Sequence, residues 1–378
     1  MIALPGGTTS SPGVRRPTFT IAFGAGGGAG GGLGGLASAV AGAAGLGGGS
    51  DDPWQRSLIS LTVEAALAPV VDALELVLSS DSQAPSVAVG DAGTVSLGYA
   101  DGDNVLVFTG TIDRVTRGLD GTTRVGARNG GGELARLRLN QGYEQMSGAD
   151  IASDLAGRTS LQTDVMESGE TLAYVALDDR TSAWSHLATL ARRGGAVAYV
   201  SPDGKLHFVK PGSGDPVQTF HYGADILALD LADVAAELGE VSVFGEGAAG
   251  SQGADAWAWI IKDPAAVTGS AGSGAPERSF ADRALRSAEA AGAAARGLAD
   301  AAAARKLAGR LRVAGAPAVT VGSVVEIADA PGDTLNGRFL VRSLRHRLEK
   351  RSGFVTEMAI VSAGGGGGGA LGALGGLL

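Results

Sequence analysis

Apolar and polar residues alternate with a period of two over much of the chain, and this alternation, broken by Gly and Asp, predicts β-strands and tight connections. Two stretches carry the pattern in the same order. The first runs from Val87-Ala88-Val89-Gly90-Asp91 through Val95 and Leu97 to Gly102-Asp103 and Gly110-Thr111-Ile112. The second runs from Val319-Thr320-Val321-Gly322-Ser323 through Ile327 to Gly332-Asp333 and Gly337-Arg338-Phe339. Each reads as a β-branched strand, a Gly, a second strand with an apolar residue five places on, and a Gly-Asp turn. A Gly then leads into a long strand, 111–117 in one copy and 338–348 in the other. A one-residue slip would turn every core side chain outward, so matched spacing implies matched register. The expectation is an internal duplication in which Val87, Gly90 and Gly110 correspond to Val319, Gly322 and Gly337.

The remaining elements arrange themselves around these copies. Residues 17–23 read as a first strand, and 54–80 as two more strands with a turn near Ala68-Pro69. With 124–128 they complete a small β-barrel or sandwich over 14–132. From Glu133 the texture changes to a compact α+β module, 133–212. Ser147-Gly-Ala-Asp150 is a capping box with Gly157 as the stop. Thr181 opens a second helix in which Trp184, Leu187, Ala188 and Ala191 fall at helical spacing, with Trp184 as the core anchor. A hairpin follows, turning at Ser201-Pro-Asp-Gly204. Strands resume at Val217, with clear ones at 240–244 and 257–262. Ser279-Phe-Ala-Asp282 reads as another capping box, opening a helix over about 281–313 that Gly292, Gly297 and Gly309 weaken without breaking. The second copy and a strand at 353–361 close a unit spanning 213–362, and 363–378 is a glycine-rich tail.

Composition narrows the function classes. At 378 residues the chain is long enough for two or three domains. A net charge of −9 gives no general attraction to nucleic acid or anionic membrane. The absence of Cys excludes disulfides, thiolate chemistry and Cys-based zinc sites. Neither a signal peptide nor a stable membrane insertion is expected. Between residues 24 and 49, 14 of 26 positions are Gly, which is too little apolar surface to offset ordering, so a loop is expected. Gly26, Gly28 and Gly31 satisfy a dinucleotide-binding spacing with Asp51 and Asp52 about 20 residues on. In so glycine-rich a run that match arises by composition, and no helix suited to it follows.

No catalytic, cofactor or metal site emerges. His186, His207, His221 and His346 share no metal-ligand spacing. Asp178-Asp179 read as compensation of a helix N-terminus rather than an acid–base pair. Arg338, Arg342, Arg345, Arg347, Lys350 and Arg351 form the basic concentration, spread along a strand and its turn, and suit a solvated edge or a subunit contact.

The order of these segments resembles the phage late control gene D family, the tail-hub proteins of contractile phages and related injection systems, whose hub also forms the N-terminal part of type VI valine-glycine repeat spike proteins. The resemblance is carried by Phe108-Thr-Gly-Thr-Ile-Asp-Arg114 with Gly126-Ala-Arg128, Leu134 and Leu137, by Met146-Ser-Gly-Ala-Asp-Ile-Ala152 with the Trp184 helix and Gly204-Lys-Leu-His-Phe208, and by Gly322-Ser-Val-Val-Glu-Ile327 with 337–346. It spans about 14–362. It implies a β-rich α+β fold, two tube-protein-like β-barrels flanking a small α+β module. It also implies a homotrimeric baseplate hub, assembled in the cytoplasm into a tail-like particle, adapting a hexameric inner tube protein to a three-fold spike among other baseplate components. Arg338, Arg342 and Arg345 are candidate subunit contacts. The chain departs from the family in its glycine insertion and tail, and its length leaves room for no needle, so a separate spike protein is expected. The rivals are a hub or distal-tail protein of a non-contractile tail, and a nucleotide-binding enzyme built on the glycine run.

Overall fold

A computed structural model describes residues 15–24, 52–80, 84–212, 214–245 and 267–363. The chain is β-rich. Its first six strands are β1 (Pro17–Phe23), β2 (Leu58–Ala66), β3 (Ala73–Ser79), β4 (Ala92–Tyr99), β5 (Val105–Arg117) and β6 (Thr122–Arg128). They lie side by side in the order β1-β4-β5-β6-β3-β2. Alternation sets their faces: β3 buries Leu74, Leu76 and Leu78 and turns Glu75 outward. Each such leucine contributes about 2 kcal/mol of burial. Phe19 and Ile21 of β1 share one apolar cluster with Leu61 and Val63 of β2, at the opposite end of the order, so the sheet curls on itself. Among the described residues no ladder joins β1 to β2. The gap is bridged from helix α1 (Pro53–Ser57), where Gln55 Nε2 donates to Phe19 O at 2.8 Å. Val87–Val89, expected as a strand, forms none; these residues lead into a turn, with Val87 buried and Val89 exposed.

The module follows with helices α2 (Gly131–Arg136), α3 (Gly148–Gly157) and α4 (Ala183–Arg193). Its strands are β7 (Gln141–Ser147), β8 (Gln162–Met166), β9 (Thr171–Leu177), β10 (Val197–Val200) and β11 (Lys205–Val209). The capping box at α3 forms as read: Ser147 accepts from Asp150 N and the Asp150 carboxylate accepts from Ser147 N. Helix α4 is capped by Ser182, one residue after Thr181, and by Gly194 at its other end. Trp184 is 1% exposed and its indole N–H donates to Val70 O at 3.0 Å, so it anchors the module and ties it to the first lobe.

The second lobe uses β12 (Gln218–His221), β13 (Ile226–Asp233), β17 (Leu307–Ala314), β18 (Val324–Ala328), β19 (Gly337–Glu349) and β20 (Gly353–Ser362). Between β13 and β17 lie β14 (Glu240–Gly245), β15 (Thr268–Gly272), β16 (Arg278–Asp282) and helix α5 (Ala288–Arg305). The expected helix over 281–313 is thus shorter. Ser279-Asp282 lies in β16 rather than capping it, and the cap is Ser287, which accepts from Ala290 N. Beyond Arg305 a period-two pattern with Leu311 and Val313 inward and Arg310 and Arg312 outward gives β17. Val241, Val243, Leu285 and the buried alanines of α5 share the module's apolar cluster, while the second lobe keeps its own around Phe220, Leu311, Phe339 and Ile360. The strand expected at 257–262 and the glycine segment 25–50 lie outside the described residues, as does the tail from 364.

Candidate functional site

Numbered by their sequence order within each lobe, the strands of both lobes run 1-4-5-6-3-2: β1-β4-β5-β6-β3-β2 and β12-β18-β19-β20-β17-β13. One pair differs in sense, since β1–β4 is antiparallel and β12–β18 parallel. The anchor of each lobe is a turn closed by Asp91 N to Ala88 O and by Ser323 N to Thr320 O. Its third residue is Gly90 (φ 98°) or Gly322 (φ 82°), where a type II turn requires positive φ. Gly90 N donates to Ile112 O, and Ile112 N donates to Asp91 O; Gly322 N donates to Val341 O, and Val341 N to Ser323 O. Ile112 therefore stands where Val341 stands. Val319, like Val87, precedes the turn as a buried residue outside any ladder, and Val321, the second residue of its turn, is buried where Val89 is exposed. Counted from these anchors, Gly110 falls at Phe339 and Gly337 at Phe108, two residues away from the pairing that the spacing suggested. Val95 and Ile327, five places after their glycines, are both buried and pair with Phe108 and Gly337 respectively.

Bulges sit in the same places as well. The β5–β6 ladder shifts between Ile112 and Arg114 and the β19–β20 ladder between Val341 and Ser343. The β2–β3 ladder shifts between Leu58 and Ser60 and the β13–β17 ladder between Ile226 and Ala228. A bulge inserts one unpaired residue and reverses which residues face inward. In β19 the inward set is Phe339 and Val341 before the bulge and Leu344, His346 and Leu348 after it.

The two lobes are joined by hydrogen bonding. The C-terminal half of β19, Ser343 to Glu349, pairs antiparallel with β2, making one continuous sheet of both lobes. Across this joint Arg345 Nε donates to Glu64 Oε1 at 2.8 Å. Directly opposed residues continue the row: Arg345 faces Glu357, and Glu357 faces Arg312 at 3.6 Å. These side chains are about half exposed, so each pair contributes under about 1 kcal/mol, but opposed unlike charges favour this register. The row lines a groove of about 1120 Å³ whose wall also carries Asp113, Arg114 and Arg128 of the first lobe. Of the candidate contact residues, Arg345 is engaged within the chain. Arg338 is exposed near the start of β19. Arg342 is the bulged residue; partial burial and the neighbouring Arg305 hold its guanidinium below the usual arginine range. Glu64, Glu357 and Arg312 escaped the sequence reading because nothing local links Glu64 to a residue 281 positions away. Their one signal is outward placement on otherwise apolar strands.

Where the lobes and the β10–β11 hairpin meet, two titratable groups are buried. Asp72 accepts from Ala66 N at 3.0 Å and from Asn129 Nδ2 at 2.7 Å, and burial pushes its carboxyl up to about 7. His346 is 2% exposed; its Nδ1 lies 2.9 Å from Thr356 Oγ1, which accepts from Ala316 N. Burial pulls the imidazole down to about 4, so it is neutral.

The other histidines occupy structural places. His186 Nε2 meets Asp178 O at 2.8 Å, His207 stacks on Tyr199 at 5.0 Å, and His221 Nδ1 pairs with Asp329 at 2.7 Å. Asp178 does not sit at a helix start; it accepts from Arg180 N, four residues before the Ser182 cap. Among the described residues no group of His, Cys, Asp or Glu could hold a metal, and no helix is long and apolar enough to cross a membrane.

A family profile described as the Alg8 N-terminal domain matches residues 78–350, well over half of the chain and including both turn anchors. The chain belongs to the Alg8 N-terminal domain family. No curated protein matches it. Among solved structures, it is similar to the tail protein from Neisseria meningitidis MC58, with a TM-score of 0.62 at 16% identity over 82% of this chain and 93% of that one. The 43 kDa tail protein of prophage MuSo2 from Shewanella oneidensis gives 0.61 at 15% identity, over 81% and 94%. A component of the type VI secretion system of E. coli, described as structurally similar to the T4 bacteriophage tail proteins gp27 and gp5, gives 0.53 at 11% identity, over 81% and 73%. This member of the Alg8 N-terminal domain family therefore has a phage tail-protein fold.

Proposed function

We propose that the chain is a non-enzymatic, structural baseplate hub of a contractile phage tail or tail-like injection system. Three copies form a ring that presents six lobes to a hexameric inner tube and a three-fold face to a separate spike. In this reading 14–132 and 213–362 are the two tube-like units, 133–212 is the module between them, and other baseplate components bind the outside. The ring assembles in the cytoplasm. The observation that carries the proposal is the repeated strand order in one chain, with both turn anchors and two bulges in the same places. Two like lobes per chain match a six-fold partner only when three chains contribute, and heterologous contacts whose rotation closes give rings. The tail-protein fold of the solved neighbours supports the same reading. Electron-microscopic averaging of the assembled particle tests it. The expected result is three chains per ring, and six chains with one lobe each at the tube would overturn it.

A further inference from the structure

In the second lobe, β19 gives its N-terminal half to β18 and its C-terminal half, on the same side, to β2. In the first lobe, β5 gives residues up to Thr111 to β4 on that side. Beyond the Gly90–Ile112 exchange, Asp113 to Arg117 have no strand there among the described residues. The counterpart of β2 in the second lobe is β13, the outer edge of the sheet, which among the described residues pairs only with β17 and has no buried residue. The lobe–lobe joint thus uses β2 and the C-terminal half of β19, while their counterparts, β13 and the C-terminal half of β5, have no such partner among the described residues.

We infer that β13 of one copy pairs antiparallel with the C-terminal half of β5 of the next copy, repeating the β2–β19 joint between chains. This deepens the ring reading above and rests on it. The bulges fix the register. They align Leu58 with Ile226 and Glu64 with Ala232 on one side of the joint, and Val341 with Ile112 and Arg345 with Thr116 on the other. Within the chain Arg345 faces Glu64 and Ser343 faces Ala66. Between chains Thr116 therefore faces Ala232, and Arg114 faces Val234. The edge has the features of a surface awaiting a strand: Leu227 and Val234 are 57% and 48% exposed. Charge agrees with the register, since Arg117 then lies diagonal to Asp233 on one face, within reach of a long side chain, and both are exposed. The partner is a second copy of this chain because the complementary half-strand exists on the same molecule.

The absence of native cysteines makes the test direct. Full-length Thr116→Cys and Ala232→Cys chains carrying different tags are mixed at high concentration and oxidised, and the Arg114→Cys and Val234→Cys chains are treated likewise. The expected result is a mixed-tag disulfide dimer in both mixtures, none from any single variant alone, and several-fold less from Thr116→Cys with Asp230→Cys, which is two residues out of register. A double Thr116→Cys, Ala232→Cys chain should give covalent species ending at three. Failure of both mixtures to cross-link overturns the pairing, as does equal cross-linking out of register, and the ring reading then stands or falls on particle symmetry. Cross-linking that runs past three supports the pairing and removes the trimer instead.

Discussion

Gly297, in the middle of α5, lies against Gly195 just beyond the end of α4, so close that a Cβ on Gly297 would stand 2.5 Å from the Gly195 Cα. Backbone cannot yield as a flexible side chain does, so this glycine is where two helices meet and not a weak point in one of them. Gly292, five residues earlier, would meet only the tip of Arg296. Gly297→Ala should therefore lower stability by about 1–3 kcal/mol, while Gly292→Ala should raise it by up to about 1 kcal/mol through helix propensity. Urea denaturation of the two variants decides the matter, and equal effects would remove the distinction.

The equivalent turns differ in what surrounds them. Nothing lies near a Cβ on Gly90, whereas on Gly322 it would stand 2.6 Å from the Tyr199 ring. Gly90→Ala should cost about 1 kcal/mol from positive φ alone, and Gly322→Ala distinctly more, with a change in Tyr199 fluorescence. Similar losses at both sites would mean that the module hairpin does not pack on the second turn.

Asp72 and His346 should tilt stability in opposite directions with pH. His346 is depressed to about 4, so as pH falls from 6.5 the unfolded chain takes up a proton that the folded chain refuses, and stability falls until about pH 4. The shift corresponds to about 3 kcal/mol. Asp72 is raised to about 7, so its contribution is largest at low pH and is lost as pH rises from about 4 to 7. Between pH 4 and 6.5 the two offset. Relative to the wild type, His346→Gln should lose stability as pH rises through this window, and Asp72→Asn should gain it. Thermal melts across the window check both slopes, and a parallel response of the two variants would contradict the burial of one group.

Arg345 and Glu64 should couple weakly. A double-mutant cycle with Arg345→Ala and Glu64→Ala should give about 0.5 kcal/mol, falling further in 1 M salt. A coupling of several kcal/mol would show that the ion pair, and not the backbone ladder around it, holds the lobes together.

Much of this architecture was legible in the chain because local rules governed it. Leu74, Leu76 and Leu78 announce β3 by alternation, and Ser147 with Asp150 announces α3 by chemistry that needs four residues only. Where the reading missed, a distant contact or an unpaired residue had decided. The bulge at Arg342 has no signature, yet it shifts the inward set from Val341 to Leu344. Helix propensity favoured extending α5 through Leu311, but pairing of β17 with β13 and β20 prevailed. Glu64 and Arg345 carried no sign of each other, because the sheet that opposes them is assembled from both ends of the chain.

The β2–β19 joint also bears on how assembly proceeds. Its two strands are tethered to one another, so it closes at the effective concentration of a single molecule and forms whenever the chain folds. In the proposed ring of three chains, half of the six like joints would be made in this way before any two molecules meet, and only the other three would depend on concentration.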